Sequence, residues 1–493
     1  MSAIKMFGYE DAQAQKFEAE RWATKEQMHE LSSGDEQRDI ILGHGVSLAY
    51  FEDDKTWEKG VNSNVMVIGG SSAGKSDSFI KTNALNHRDV NSVIMDTKGE
   101  LHRALSEGYE NDGYDVMVLD TIDVENSIGY DPLRYIETEE DIPSVAEMLL
   151  DALAPNRHRA LDGFWEQSSA LLLRSVVGLL FGYERLDGTF APGADPAQER
   201  KYLRMNRVTE LLKLIKISED DRLPCPLDYL VDALAAGDIP LEGAAPLNDA
   251  YGVGQYRNFR CAADRTLKSI LITLNASISK LQTPQMKRVF DHDEIKLDRL
   301  DEGRRVLFIK MSDNDSTNSW LARIAIKQAF NMAQRKADSN PNGRLARNVE
   351  FVLDEFPNVG RIPDFERSIA TVRSRGINFL MCIQSLGQLD SVYGDDVARV
   401  ILDNCDSVVY MGGGSSIETQ RYVCNLCGES VLGTDHVGAE HTAVKVRGSV
   451  ITPGEVGLLP RTDCIVKVSG RRPFRTKKYF CADHPNAHKW LRR

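Results

Sequence analysis

Val65-Met66-Val67-Ile68-Gly69-Gly70-Ser71-Ser72-Ala73-Gly74-Lys75-Ser76 is the stretch from which the fold is read. Four apolar residues that suit a buried strand run into G-x-x-x-x-G-K-S, and the pattern of Asp77 to Asn86 predicts a helix behind it. Strand, loop and helix in that order make a phosphate-binding loop. Gly69, Gly70 and Gly74 let the backbone turn tightly through Ser71, Ser72 and Ala73, so that successive N–H groups and a helix N-terminus face an anion. Lys75 is then placed to reach the β- and γ-phosphates of a nucleotide, and the Ser76 hydroxyl to take one position on Mg²⁺.

Binding a nucleotide is not hydrolysing it; hydrolysis needs a metal carboxylate and a group that orients water. Val349-Glu350-Phe351-Val352-Leu353-Asp354-Glu355 supplies both candidates, as an apolar strand ending in adjacent acids. Neighbouring side chains on a strand diverge, so Asp354 can face the metal while Glu355, at the strand end, polarises the attacking water. This is the Walker B arrangement with a catalytic glutamate. Phe379-Leu380-Met381-Cys382-Ile383 ends at Gln384, an amide at the carboxyl edge of a strand, where open α/β sheets bind their ligands. Gln384 is the expected γ-phosphate sensor. Arg375, in Arg373-Ser374-Arg375-Gly376, either complements a helix dipole or reaches a neighbouring subunit's γ-phosphate as an arginine finger.

Lys75 and Asp354 are separated by far more chain than a compact nucleotide-binding core needs, and the intervening pattern explains why. Short buried strands are expected at Ser92–Asp96 and Val116–Asp120, alternating with helices, as in a doubly wound, mostly parallel sheet. From Asp141 the rhythm turns helical: Ile142 to Leu153, Phe164 to Tyr183, Arg207 to Ile217, Leu227 to Ala235 and Ala263 to Leu281. Asp187 to Pro196 and Ala235 to Gly254 read as Gly/Pro/Ala-rich loops. The sheet resumes at Arg305–Lys310 and continues through Glu350–Asp354, Asn378–Ile383 and Ser407–Met411, with edge strands expected between Thr442 and Phe480. Residues 10 to 31 suit an amphipathic helix, and Ile40 to Phe51 a hairpin. The expected organisation is a lead-in over 1–60, a discontinuous core over 61–140 and 300–493, and an inserted all-α domain over 141–299.

The 493 residues carry 60 Lys+Arg against 73 Asp+Glu, a net charge of −13, which argues against a simple basic nucleic-acid binder but leaves room for DNA in a locally basic pore. Eight scattered cysteines suit a reducing compartment. Cys424 and Cys427 form the one close pair, with no second pair to complete a zinc set. The N-terminal segment is too polar for a signal peptide, and Ser169 to Tyr183 is too short for a membrane span. The basic run Arg471 to Lys478 suits either phosphate contact or a solvated edge strand.

These pieces together resemble the type IV coupling proteins, the ATPases of conjugative type IV secretion systems. The matching segments are Arg21-Trp22-Ala23-Thr24-Lys25, the phosphate loop, Asp96-Thr97-Lys98-Gly99-Glu100, Phe164-Trp165, Leu353-Asp354-Glu355-Phe356-Pro357, Gln384-Ser385-Leu386-Gly387-Gln388-Leu389 and Tyr393-Gly394. The resemblance implies a RecA-like P-loop core with an all-α domain, using ATP and Mg²⁺ and working as a homo-hexamer around a channel. It implies single-stranded DNA, relaxase and relaxosome proteins, other type IV secretion ATPases and a membrane partner, with the protein cytoplasmic and peripheral at the cell membrane. Members usually begin with transmembrane helices just ahead of the Arg-Trp-Ala-Thr-Lys segment, whereas Met1 stands twenty residues before it here. Either an anchor has been removed or this form docks on a separate membrane partner. A nucleotide-switched receptor without motor activity, and a hexameric DNA translocase unrelated to secretion, are the alternative readings.

Overall fold

The computed structural model describes residues 22–35, 38–50, 61–86, 89–153, 163–186, 200–216, 224–237, 250–261, 264–313, 317–414, 416–437 and 442–491. The expected N-terminal helix and Arg21 lie outside these residues up to position 21, as do the loop 187–196 and most of 235–254; the side chains of Phe164 and Trp165 also lie outside them. What is described of the lead-in is one short helix, Lys25–His29, closed by a capping box between Thr24 and Gln27. It is followed by the expected hairpin of β1 (Ile40–Gly43) and β2 (Val46–Leu48).

The main sheet is built from β3 (Val65–Ile68), β4 (Asn91–Asp96), β5 (Asp115–Asp120), β6 (Arg305–Lys310), β7 (Val349–Leu353), β8 (Ile377–Ile383) and β9 (Ser407–Tyr410). β10 (Glu429–Val437) and β11 (Thr442–Ser449) pair only with each other, while β12 (Asp463–Val468) and β13 (Phe474–Lys477) extend the main sheet. Its nine strands run in the order β13-β12-β9-β3-β8-β7-β4-β6-β5. All pairings from β9 to β5 are parallel, and β12 and β13 add an antiparallel edge. The parallel strands are almost continuously apolar because both faces are covered.

Strand alternation sorts those residues onto two faces. Met66 and Ile68 join one apolar cluster, and Val65 and Val67 the other. The first cluster runs without a break from the sheet into the helices between β5 and β6, so core and insertion share one interior. Those helices are Asp141–Leu153, Gly163–Leu186, Met205–Lys213, Pro226–Ala236, Tyr251–Arg260, Asp264–Ile278 and Pro284–Val289. Two buried aspartates pin the junction. Asp131 accepts from the N–H groups of Leu133 and Met205, and Asp293 accepts from the Tyr135 hydroxyl and the N–H of Asp131. Burial pushes Asp131 up to about 7 and Asp293 up to about 6.

The structure corrects the sequence reading in two places. The first turn of the helix Tyr251–Arg260 takes the end of the stretch Ala235 to Gly254 that read as a Gly/Pro/Ala-rich loop, because Gly252 is a contact residue: a Cβ there would come within 2.3 Å of the Gly178 carbonyl carbon on the long helix Gly163–Leu186. The helix after the phosphate loop begins as a π-helical turn, Ser76–Ile80, and becomes α-helical only over Lys81–Ala84. No helix among the described residues is long and apolar enough to cross a membrane.

Candidate functional site

The order of the strands decides which side chains meet. β8 lies between β3, which leads into the glycine-rich loop, and β7, which ends at the acids. The register places Ile68 beside Ile383 and Leu353 beside Met381, so the three strands finish at the same edge of the sheet. The loop, Gln384 and the acids therefore follow one another along that edge.

Gly69 N–H donates to the Ile383 carbonyl at 3.1 Å, and Gly70 N–H to the Gly412 carbonyl at 3.0 Å. Ser71 and Ser72 form the exposed bend, with Ser72 at φ +61°, and Gly74 follows at φ +81°. Lys75 is buried, and its Nζ donates to the carbonyl oxygens of Gly69 at 2.8 Å and Gly70 at 3.4 Å, closing the loop on itself. Ser76 starts the helix and is partly exposed. Beneath the loop Lys478, itself buried, donates from Nζ to the carbonyls of Ala73 at 2.8 Å and Arg461 at 2.6 Å.

Asp354 is 8 % exposed and accepts no hydrogen bond from any described residue. Burial pushes its carboxyl up to about 7; Glu355 adds to the rise and Lys75 opposes it. A buried carboxylate short of donors and close to Lys75 suits a divalent cation. With the Ser76 hydroxyl as a second protein ligand, it fits the sparse protein coordination typical of Mg²⁺ beside phosphates.

Glu355 stands at φ +52°, which turns the chain out of the strand. Its Oε2 accepts from Gln384 Nε2 at 2.9 Å and from Asn358 Nδ2 at 3.0 Å. Gln388 completes the group, donating from Nε2 to Asn358 Oδ1 at 3.0 Å and accepting the Gln384 N–H at 3.2 Å.

Arg375 does not reach this edge. It precedes β8, where its Nε lies 2.7 Å from Asp338 Oδ1 and its Nη1 donates to the Thr371 carbonyl at 2.7 Å. The seven residues of β8 separate it from Gln384 by roughly 20 Å at ~3.3 Å per residue. Within one chain it is no part of the site. The basic run is likewise an edge strand: Arg475 and Lys477 pair with Asp463, and only Lys478 turns inward to the loop.

Sequence reasoning missed Asn358, Gln388 and Lys478. Gln388 stands inside a segment that carried the family resemblance and Asn358 directly follows one, but neither had a task there. Nothing in a charged run distinguishes the one lysine that becomes buried.

Residues 11–488 match the protein family described as Type IV secretory system conjugative DNA transfer. A conjugal transfer protein TraG of Rhizobium radiobacter is 24% identical over 433 residues, covering 84% of this chain and 61% of its own length. A VirD4 protein of the same organism is 23% identical over 432 residues, covering 85% and 57%. The chain thus spans about three-fifths of the length of these relatives. Among solved structures, the bacterial conjugative coupling protein TrwBdeltaN70 in complex with sulphate superposes with a TM-score of 0.65 at 16% identity, over 93% of each chain. TrwB in complex with ADP and Mg²⁺ gives 0.63 at 16% identity, over 93% of this chain and 92% of that one. The shared fold is a RecA-like P-loop core with an all-α domain.

Proposed function

The chain belongs to the type IV secretory system conjugative DNA transfer family, and on that footing we propose that it is a coupling ATPase, which recruits relaxase-bound single-stranded DNA or protein substrates and drives their transfer by ATP hydrolysis. One observation carries the reading: the loop, Gln384 and the Asp354–Glu355 pair share the carboxyl edge of three adjacent parallel strands. In this reading the N–H groups from Gly69 to Ser76 cradle phosphate, and Lys75 exchanges its loop carbonyls for the β- and γ-phosphates. Ser76 and Asp354 hold Mg²⁺, which when bound neutralises charge developing on the phosphates. Glu355 orients the attacking water, and Gln384, bonded to the same carboxylate, reports the state of the γ-phosphate.

The proposed organisation keeps the nucleotide-binding domain at 61–140 and 300–493, the helical insertion at 141–299 and the lead-in at 1–60. The working form is a homo-hexamer at the cytoplasmic face of the membrane, engaged with a membrane partner and other secretion ATPases. Arg375 contributes only in such a ring, by leaving Asp338 for the site of a neighbouring copy.

The test is ATP turnover with and without single-stranded DNA. Stimulation by DNA is expected in the wild type, with a loss of about 100-fold or more in Lys75→Ala and Glu355→Gln. Turnover unchanged in both variants would sink the assignment.

A further inference from the structure

Glu355, Asn358, Gln388 and Gln384 form a closed ring of hydrogen bonds, and the turn carrying one of its members is tied to the helical insertion. Asn358 and Gln384 both donate to Glu355 Oε2, while no described donor reaches Oε1. One oxygen is held by two amides, and the other meets no described donor. A carboxylate fixed in this way can orient a nucleophile, provided the residue that fixes it is itself fixed. Gln388 supplies that support by holding the Asn358 amide through its carbonyl oxygen.

Asn358 lies in the 3₁₀ turn Phe356–Val359, and the far end of that turn is anchored by Arg323. Arg323 is buried on the helix Ser319–Ser339, and its Nε donates to the Val359 carbonyl at 2.8 Å. Its Nη1 points the other way, to the carbonyls of Asp151 and Ala152, each at 3.4 Å, in the last turn of Asp141–Leu153. One guanidinium thus joins the first helix of the insertion to the turn beside Glu355. Gly360 makes room for it: the residue sits at φ +81°, and a Cβ there would lie 2.5 Å from Arg323 Nη2.

We propose that Asn358 is a positioning residue for Glu355, and that Arg323 ties the turn carrying it to the first helix of the insertion. The inference rests on the reading of Glu355 as the group that orients water. Its consequence is that whatever moves the insertion's first helix acts on hydrolysis through this turn.

The experiment measures kcat and KM for ATP, binding of a fluorescent ATP analogue, and melting temperature on the full chain. Asn358→Ala is expected to lower kcat about tenfold with nucleotide affinity within about twofold of wild type. Asn358→Asp, which sets a carboxylate against Glu355, is expected to lose more. Arg323→Lys keeps the charge but not the fork that spans both sets of carbonyls, and is expected to lower kcat about threefold at unchanged affinity. The double variant is expected to be no slower than Asn358→Ala alone, because both changes act on one element. Gly360→Ala replaces Arg323→Lys should the lysine variant fail to fold. Wild-type kcat in Asn358→Ala, or effects that multiply in the double variant, overturns the proposal. Glu355→Gln separates the two levels. If it still hydrolyses ATP, the reading of the site itself fails; if it is inactive while Asn358→Ala is unaffected, only the present inference falls.

Discussion

The phosphate loop and the acidic edge lie side by side on one sheet, yet main-chain groups shape the first and side chains shape the second. Around the loop the acceptors are all main-chain carbonyls: Gly69 and Gly70 donate their N–H groups to Ile383 and Gly412, and the Lys75 and Lys478 ammonium groups donate to Gly69 and Ala73. Around Glu355 they are mostly amide side chains, from Asn358, Gln384 and Gln388. A main-chain scaffold is damaged by added bulk; a side-chain scaffold is damaged by a lost donor.

Gly70 gives the sharpest way to break that distinction. A Cβ on it would stand 2.1 Å from the Gly413 carbonyl oxygen, so alanine requires the loop or the 412–414 turn to move. Gly70→Ala adds one methyl group and removes no donor. It is expected to weaken nucleotide binding by at least about 100-fold, equivalent to about 2.7 kcal/mol, as measured by fluorescent-nucleotide titration. Near-normal affinity would mean that the loop tolerates added bulk and that the distinction fails.

The same distinction explains what could be read from the sequence. The loop was legible from Gly69 to Ser76 because its geometry is set by residue types at fixed local spacing. Asp354, Glu355 and Gln384 were legible because each ends an apolar strand, and strand ends are where ligands bind. The supporting residues were not. Asn358 and Gln388 matter through a ring closed across two strands, and Lys478 through burial; none of these leaves a periodic trace. Gly252 was misread for a related reason. A glycine that permits close packing against Gly178 looks, in sequence, like one that permits a turn. Arg375 precedes β8 and so stands at the opposite edge of the sheet from Gln384, apart from the site of its own chain, and its proposed task lies only with a neighbouring copy.

Lys478 tests the comparison from the loop side with a smaller effect. Burial pulls its pKa down, and its Nζ serves the carbonyls of Ala73 and Arg461. Methionine retains the stem and leaves two carbonyls without their donor, a loss of about 1–3 kcal/mol in a buried setting. Part of that loss falls on the loop. Lys478→Met is expected to weaken nucleotide binding about threefold to tenfold without changing which nucleotide is preferred. Unchanged affinity with a lower melting temperature would assign Lys478 to the support of the C-terminal segment alone.

Asp354 tests it from the acidic side, where the expected effect is smallest and depends on pH. Its pKa rises from 3.8 to about 7 in the folded protein, chiefly through burial. Between those values the folded state binds more protons than the unfolded one, so this group's contribution to stability falls as pH rises from about 4 to about 7. At pH 8 the native protein holds a charged, buried carboxylate that no described residue donates to, and Asp354→Asn relieves it. The variant is expected to melt a few degrees higher than wild type at pH 8, with ~2–4 °C corresponding to each kcal/mol gained, and the difference is expected to close by about pH 4. Mg²⁺ should raise the wild-type melting temperature at pH 8 and leave that of Asp354→Asn nearly unchanged, because the cation relieves the same charge that the amide removes. Equal melting curves for the two proteins at every pH would show that Asp354 carries no such strain, and the acidic edge would then be as indifferent to charge as the loop is sensitive to bulk.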